Sequence, residues 1–418
     1  MGMKGSKSNL FILTGLCLAL PLEKTANAAQ WEVKGQLGQQ LEYNDNLLLS
    51  TDKKQPAFGY YLAPTLVASR KTGILELEFK GVGNIRHYDD SRLDCEAYNL
   101  NADNRYKTKD SSFSLSGGYG TNCSYSLQVT PEGTVVPSSQ SENYQISPTW
   151  TWQWAAQDQL VATGGYSNTT YTTLGETSAS ILSGNEIYTV DLTDKHLWSP
   201  NLTFSGGMTF ANVKYTDNNA STQNIYGLNV GAIYSLNPQW NFTVGGGPRW
   251  INSETSLNNA APDEDSLTTL GHAAYITLSY TGKYNAFSFG YSDSVNTSAL
   301  NQTLQNQTIS AAYSYLFSKR LTLFVNSRYS NVQSVGGEST ANSNAAFDST
   351  FFTASAGISW EFAQNWQLKS SYVYRWQEVG DSTSTIGQND GSLRSGTSES
   401  NAVMLSIDYA WDGIRTSR

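Results

Sequence analysis

Beyond its first two dozen residues, this 418-residue sequence has no run of about 18 apolar residues, so no helical span is expected. Charge is scarce too: Asp, Glu, Lys and Arg make up 15% of the chain, with a formal net of −9. That acidic balance lacks the basic footprint of a nucleic-acid binder, so no nucleic-acid partner is expected. Only three histidines occur, His87, His196 and His272, and none lies in a Ser/His motif or a Cys/His zinc spacing. Hydrolytic catalysis therefore lacks its usual base and orienting group, which argues against an enzyme. Nothing indicates a cofactor or a metal. The acidic run Asp263-Glu264-Asp265 reads as a solvated charge cluster. Intrinsic disorder is excluded by the 12% aromatic content, with 25 tyrosines and 11 tryptophans.

What the chain does have is alternation. Phe352, Ala354, Ala356, Ile358, Trp360 and Phe362 are apolar, and the residues between them, Thr353 to Glu361, are small or polar. Period two over such a stretch is a strand with one oily and one wet face. The last strand repeats it with Val403, Leu405, Ile407, Tyr409 and Trp411, and the one before with Trp366, Leu368, Tyr372, Tyr374 and Trp376. A soluble sandwich would carry charge on its outward faces, yet these aromatic faces are almost free of it. Lipid is the solvent that fits, and a mean hydropathy of −0.40 is compatible because alternation hides the hydrophobicity. Aromatic residues gather at strand ends, as at Trp150, Trp152 and Trp154, where membrane interfaces place them.

Residues 1–28 read as a signal peptide. Lys4 and Lys7 precede the apolar stretch Leu10 to Leu22, and Ala26-Asn27-Ala28 is a cleavage site. Cys17 follows Thr14-Gly15-Leu16, a poor lipobox. Eighteen strand candidates then start near Trp31, Gly59, Gly73, Ala97, Ser112, Asn143, Gln159, Glu186, Asn201, Asn224, Trp240, Leu270, Tyr284, Thr303, Leu321, Thr350, Trp366 and Asn401. Short connections such as Asn237-Pro238-Gln239 alternate with long polar ones such as Gly120 to Glu142, Asn252 to Thr269, Ser330 to Ser349 and Gly380 to Ser400. The expected fold is all-β: a transmembrane antiparallel β-barrel of about 18 strands with short periplasmic turns and long extracellular loops, in the outer membrane of a Gram-negative bacterium. The barrel is expected over 29–411, followed by a C-terminal tail, 412–418. Trp31 follows the cleavage site too closely for a plug domain ahead of the first strand.

The wet faces would line the interior. They carry Glu76, Glu78, Lys80 and Arg86 on the third strand, and Asp103 and Arg105 on the fourth. Later strands add Arg249, Arg328, Lys369 and Arg375. In a dry core these charges would be costly, whereas an aqueous channel solvates them. Both signs occur, so no strong preference among simple ions follows. Inward side chains such as Asn, Gln, Tyr and Arg suit a hydroxyl-rich solute and would equally serve as a lattice that stiffens the wall. Cys95 and Cys123 flank one hairpin in a chain exported to an oxidising compartment, so a disulfide is expected. Cys95 falls on the wet parity and Cys123 on the oily one. A bridge between flanking loops is therefore favoured over a direct cross-strand pair.

The first strand ends in Tyr43-Asn44-Asp45-Asn46-Leu47-Leu48. This run, with the leader, length and hairpin rhythm, resembles the beta-barrel porin-2 family of outer-membrane proteins associated with exopolysaccharides. The resemblance implies a porin-like channel for polysaccharide export or for polysaccharide fragments, surrounded by outer-membrane lipid and lipopolysaccharide and served by periplasmic export components. A general diffusion porin for small hydrophilic solutes and a loop-plugged binding or structural barrel are the alternatives. Asn and Asp also suit a turn after a strand on purely local grounds.

Overall fold

In the computed structural model, the described residues are 29–51, 53–124, 128–130, 133–135, 139–173, 183–216, 221–255, 267–297, 303–335, 348–380 and 396–417. The leader and Asp263-Glu264-Asp265 lie outside them. The strands are β1 (Gln30–Asn44), β2 (Ala57–Lys71), β3 (Leu75–Tyr88), β4 (Cys95–Lys107), β5 (Ser111–Ser124), β6 (Gln128–Thr130), β7 (Gly133–Val135), β8 (Ser139–Gln153), β9 (Asp158–Thr173) and β10 (Asn185–Ser199). They continue as β11 (Leu202–Tyr215), β12 (Ser221–Asn237), β13 (Trp240–Thr255), β14 (Leu267–Thr281), β15 (Asn285–Thr297), β16 (Thr303–Ser318), β17 (Leu321–Ser334), β18 (Asp348–Ala363), β19 (Trp366–Val379) and β20 (Gly396–Ser417). Eighteen of them form one antiparallel sheet, and β6 and β7 make a separate small hairpin. Each wall strand pairs with its neighbours in sequence order, and β1 pairs with β20, so the sheet closes on itself. Closure leaves the wall without an edge strand, which hydrocarbon requires.

Tight turns set the register at one end. Asn237 Oδ1 accepts from the backbone N–H of Gln239 and Trp240, at 2.9 and 3.0 Å. Ser318 Oγ does the same for Arg320 and Leu321. Asn365 adopts the left-handed conformation, φ 66°, that Asn tolerates in turns. From these turns the alternation puts Leu228, Val230 and Tyr234 on the outer face of β12 and Gly227, Asn229 and Gly231 on the inner one. The outer face is a continuous apolar surface, from Trp31 and Leu37 on β1 round to Val403, Leu405 and Ile407 on β20. In water so large a patch would drive association, whereas in lipid it is solvated. Near the turn end, Trp150 and Trp152 stack with ring centroids 5.7 Å apart, and the Arg70 guanidinium lies 5.3 Å over Trp31.

All eighteen expected strands are present. Two boundaries differ. The segment expected as a tail continues β20 to Ser417, with Ile414, Arg415, Thr416 and Ser417 paired to Val33, Glu32, Trp31 and Gln30. A bulge absorbs Asp412 and Gly413 opposite Lys34. Gly413 has φ +83°, and a Cβ there would sit 1.8 Å from the Val33 carbonyl oxygen, so only glycine fits. The second difference concerns the cysteines. Cys95 and Cys123 are bonded, with Cα atoms 6.4 Å apart, but they sit on strand ends rather than in loops. The β4–β5 ladder stops at Asn99 opposite Gly120, and beyond it the Tyr98 N–H is taken by Thr121 Oγ1 at 3.1 Å. The strands splay there, strict parity lapses, and the disulfide holds the split together.

Candidate functional site

The register places Glu76, Glu78, Lys80 and Arg86 on the inner face of β3, and Asp103 and Arg105 on that of β4. Arg249 on β13, Arg328 on β17, and Lys369 and Arg375 on β19 also face inward. These charges are unevenly spread. One sector, from β19 through β20 and β1 to β4, holds most of them as alternating signs. Lys71, Glu76 and Arg105 lie in one row, and Lys107 Nζ reaches Glu76 at 2.8 Å. Lys369 pairs with Asp408 at 3.0 Å and Lys34 with Glu32 at 3.0 Å. The facing sector, β8 to β18, presents mainly Ser, Thr, Gly and Asn, with Asp191, Arg249 and Arg328 set among them.

At the loop end the inner face is packed. Tyr61 and Tyr88 hydrogen-bond to each other, and Tyr61 donates to Glu42. Arg86 lies 5.1 Å over the Tyr61 ring, with Nε 3.0 Å from Asn84 Oδ1. Arg375 donates to Ser400 Oγ at 3.3 Å. Arg328 donates to Ser330 Oγ at 3.3 Å. Leu47 from the first loop joins Ala57, Tyr61, Tyr88, Cys95 and Ala97 in one buried cluster. Beyond the end of β1 at Asn44, the run to Leu48 thus turns inward over the lumen.

The same run fastens the seam between first and last strands. Asn44 Oδ1 accepts from Ser400 Oγ at 2.8 Å, and Asn46 Nδ2 donates to the Glu399 carbonyl at 3.0 Å. Asp45 accepts from the Asn401 N–H at 2.6 Å and from Asn401 Nδ2 at 2.9 Å. Burial alone would raise the Asp45 carboxyl, but the Asn401 bonds and the Lys54 charge outweigh it and hold the group below the usual carboxylate value. Lys54, bonded to Glu399 at 3.0 Å, is held above the usual lysine value by that bond and by Asp45.

A second inward fold lies opposite. The β14–β15 ladder ends at Ala274 opposite Asp293, although both strands continue. Val295, on the nominally outward parity, packs against Ile251 of the inner face. Thr303 at the start of β16 donates to Gln223 of β12, four strands away, a separation of about 19 Å along the wall. The β15–β16 end therefore tips into the lumen. At its root, His272 Nε2 meets the buried Asp293 carboxylate at 2.9 Å, and Gln305 Nε2 covers the His272 carbonyl at 3.0 Å, in place of a strand partner. The β7 strand of the small hairpin also reaches β15, with six wall strands between β8 and β15. The parity of His272 gave no sign of this fold, because alternation reports a local face and not where a strand end goes.

The other two histidines lie on the outward parity too. His196 Nδ1 pairs with Asp158 at 2.6 Å, and His87 Nδ1 with Asp94 at 3.2 Å. Asp89 and Asp90, which adjoin His87 in sequence, instead cap Phe58 and bind Arg92. These carboxylates fix a connection. Among the described residues no group of three or more His, Cys, Asp or Glu is arranged to hold a metal ion.

No protein-family model and no curated protein matches the chain. Several solved structures resemble it in shape. OccAB4 of Acinetobacter baumannii is 13% identical with a TM-score of 0.47, over 93% of this chain and 98% of that one. OpdO of Pseudomonas aeruginosa is 11% identical with a TM-score of 0.43, over 91% and 96%. The ferric citrate transporter FecA is 9% identical with a TM-score of 0.46, over 90% and 78%. The closed strand order, rather than these likenesses, defines the fold.

Proposed function

We propose that this protein is a porin-like channel of the Gram-negative outer membrane that passes hydroxyl-rich solutes, polysaccharide or its fragments among them. One observation carries this reading: an inner wall of exposed ion pairs and hydroxyl groups stands behind an apolar outer wall. Lys107–Glu76 and Lys369–Asp408 keep side-chain exposures between 14% and 42%, as groups in contact with water do. Water inside and hydrocarbon outside satisfy both faces at once. The mixed signs give little selection among small ions, which suits an uncharged solute. The inward folds at Leu47 and at β15–β16 narrow the mouth and favour a selective passage over general diffusion. Surrounding lipopolysaccharide and periplasmic export components are the partners this role calls for.

Recording across a planar bilayer tests the reading. Purified protein should give discrete conductance steps that glycans reduce in a concentration-dependent way. Absence of conductance in every condition overturns it. Conductance that appears only after Thr303→Ala and Leu47→Ser loosen the mouth would instead favour a plugged binding barrel.

A further inference from the structure

The lumen wall between β10 and β14 carries a trough that the channel reading alone does not require. Its lower end is Tyr275. This tyrosine is the one bulky residue among Ala273, Thr277 and Ser279 on the inner face of β14, and it is 38% exposed. Its ring lies across Gly245 on the neighbouring strand. A Cβ at Gly245 would sit 2.5 Å from the ring carbon Cζ, and one at Gly231 would sit 2.8 Å from the hydroxyl. Two successive glycines thus make room for the ring to lie flat, with its other face toward the lumen.

The upper end is Arg249, which lies over Gly227 in the same manner, with Nη1 2.5 Å from where a Cβ would be. Its guanidinium is fixed by bonds to the Leu228 and Pro248 carbonyls, both at 3.0 Å, and to Asn229 Oδ1 at 2.6 Å. Those use three of its five N–H groups, so donors remain. Asp191, in the same row on β10, feels the Arg249 charge, yet among the described residues no ion pair joins them at 4.0 Å or less. A carboxylate acceptor and the spare donors therefore stand in one row of the inner wall, with Thr209 of β11 between them. Tyr275 and Arg249 are four residues apart along the wall, because Tyr275 pairs with Gly245, giving a separation of about 13 Å.

We propose that this trough binds a pyranose-containing saccharide of about two rings, one ring stacked on Tyr275 and hydroxyl groups of the other bonded to Asp191 and Arg249. The proposal rests on the channel reading for its access route. A pyranose offers a face of C–H groups to the electron-rich ring face and a rim of hydroxyls that both donate and accept. The length of the trough matches that span. A carboxylate and a guanidinium in one row are neutral overall, which fits an uncharged glycan better than an ion.

Saturation-transfer NMR on the purified barrel in detergent micelles reads this binding whether or not the protein conducts. Bilayer recording on the same sample reads the channel separately. The probes are sucrose and cellobiose, with poly(ethylene glycol) of similar size as a flexible control. Ring protons of the disaccharides should receive saturation and the polymer should not. Tyr275→Ala should weaken binding about tenfold and Asp191→Asn several-fold, whereas Tyr275→Phe should stay within about twofold, since it keeps the ring face. Unchanged resistance to heating in detergent shows that each variant is folded. No transfer to either disaccharide overturns the proposal, and so does equal binding by wild type and Tyr275→Ala or equal binding of the polymer. Saccharide binding with no conductance would overturn the channel reading and leave the trough standing.

Discussion

Replacing Asp45 with alanine should unfasten the loop end of the seam where the barrel closes. Asp45 accepts two hydrogen bonds from Asn401, at 2.6 and 2.9 Å, directly beyond the last β1–β20 pair, Asn44 with Ala402. A hydrogen bond to a charged group contributes about 1.5–3 kcal/mol net. The Asp45 side chain is 27% exposed, so water recovers part of both bonds, and the expected loss is about 2–3 kcal/mol in total. The Lys54 contact, at 3.4 Å and solvent-exposed, is screened and should matter little. The assay is the heating needed to convert the barrel to its unfolded mobility in SDS gels, together with amide exchange at Ala402 to Leu405. Asp45→Ala should lower the first and speed the second, and Lys54→Ala should do neither. The pH dependence has a definite sign. The folded state holds the Asp45 carboxyl below its ordinary value of 3.8, so its stabilisation is complete above that pH and disappears as the pH falls through the lower folded value. A wild-type-like Asp45→Ala barrel, or a Lys54→Ala barrel equally weakened, would refute the reasoning.

Three further outcomes are expected. Val230, 70% exposed on the outer face of β12, should cost about 2–4 kcal/mol as Val230→Arg near mid-membrane, read by denaturant refolding into vesicles, whereas Thr243→Arg on the inner face should cost little. Reducing the Cys95–Cys123 bond, which spans 28 residues, should lower stability by up to about 3.5 kcal/mol and raise exchange at the splayed β4–β5 end before other strands respond. Gly413→Ala forces a side chain into φ +83° against the Val33 carbonyl and should cost about 1–3 kcal/mol in backbone strain alone, seen as a lower yield of closed barrel; truncation after Trp411 should lower it as well.

Strand number and facing were legible because each is a local property. Period two fixes which side of β18 holds Phe352 to Phe362, and turn residues such as Asn237 and Ser318 mark where each hairpin reverses. What escaped was whatever depends on a strand end leaving the wall. Val295 and Thr303 carry the parity of lipid-facing residues, yet they pack on Ile251 and bond to Gln223. Cys123 has the oily parity but meets Cys95, because the ladder between them ends early. Asn44 to Leu48 read equally well as a plain turn, and only the distant partners Glu399, Ser400 and Asn401 reveal a latch. Tyr275 did leave a trace, as a lone aromatic on a face of Ala, Thr and Ser. Without knowledge of the facing Gly245 that trace had no geometry.

Strand length explains why both inward folds occur at the loop end. Crossing the hydrocarbon takes about 9–11 tilted residues, yet the wall strands run from 13 residues in β15 to 22 in β20. Counted from its turn at Asn285, β15 leaves the hydrocarbon near Ser294. Beyond that point its outward face no longer has lipid to bury against, and an apolar side chain such as Val295 must find protein. The inner surface of β13 and β14 supplies it at Ile251 and Gly271, so the strand end tips inward and gives up its ladder with β14. His272 and Asp293, at the turning point, supply polar groups where backbone pairing stops. Narrowing of the mouth is thus produced by residues above the membrane, while the wall below it stays in register, broken only locally beside Pro64, Pro148 and Pro248. Substitutions at Val295, Thr303 or Gln223 should accordingly alter passage through the mouth and leave the temperature of barrel unfolding nearly unchanged.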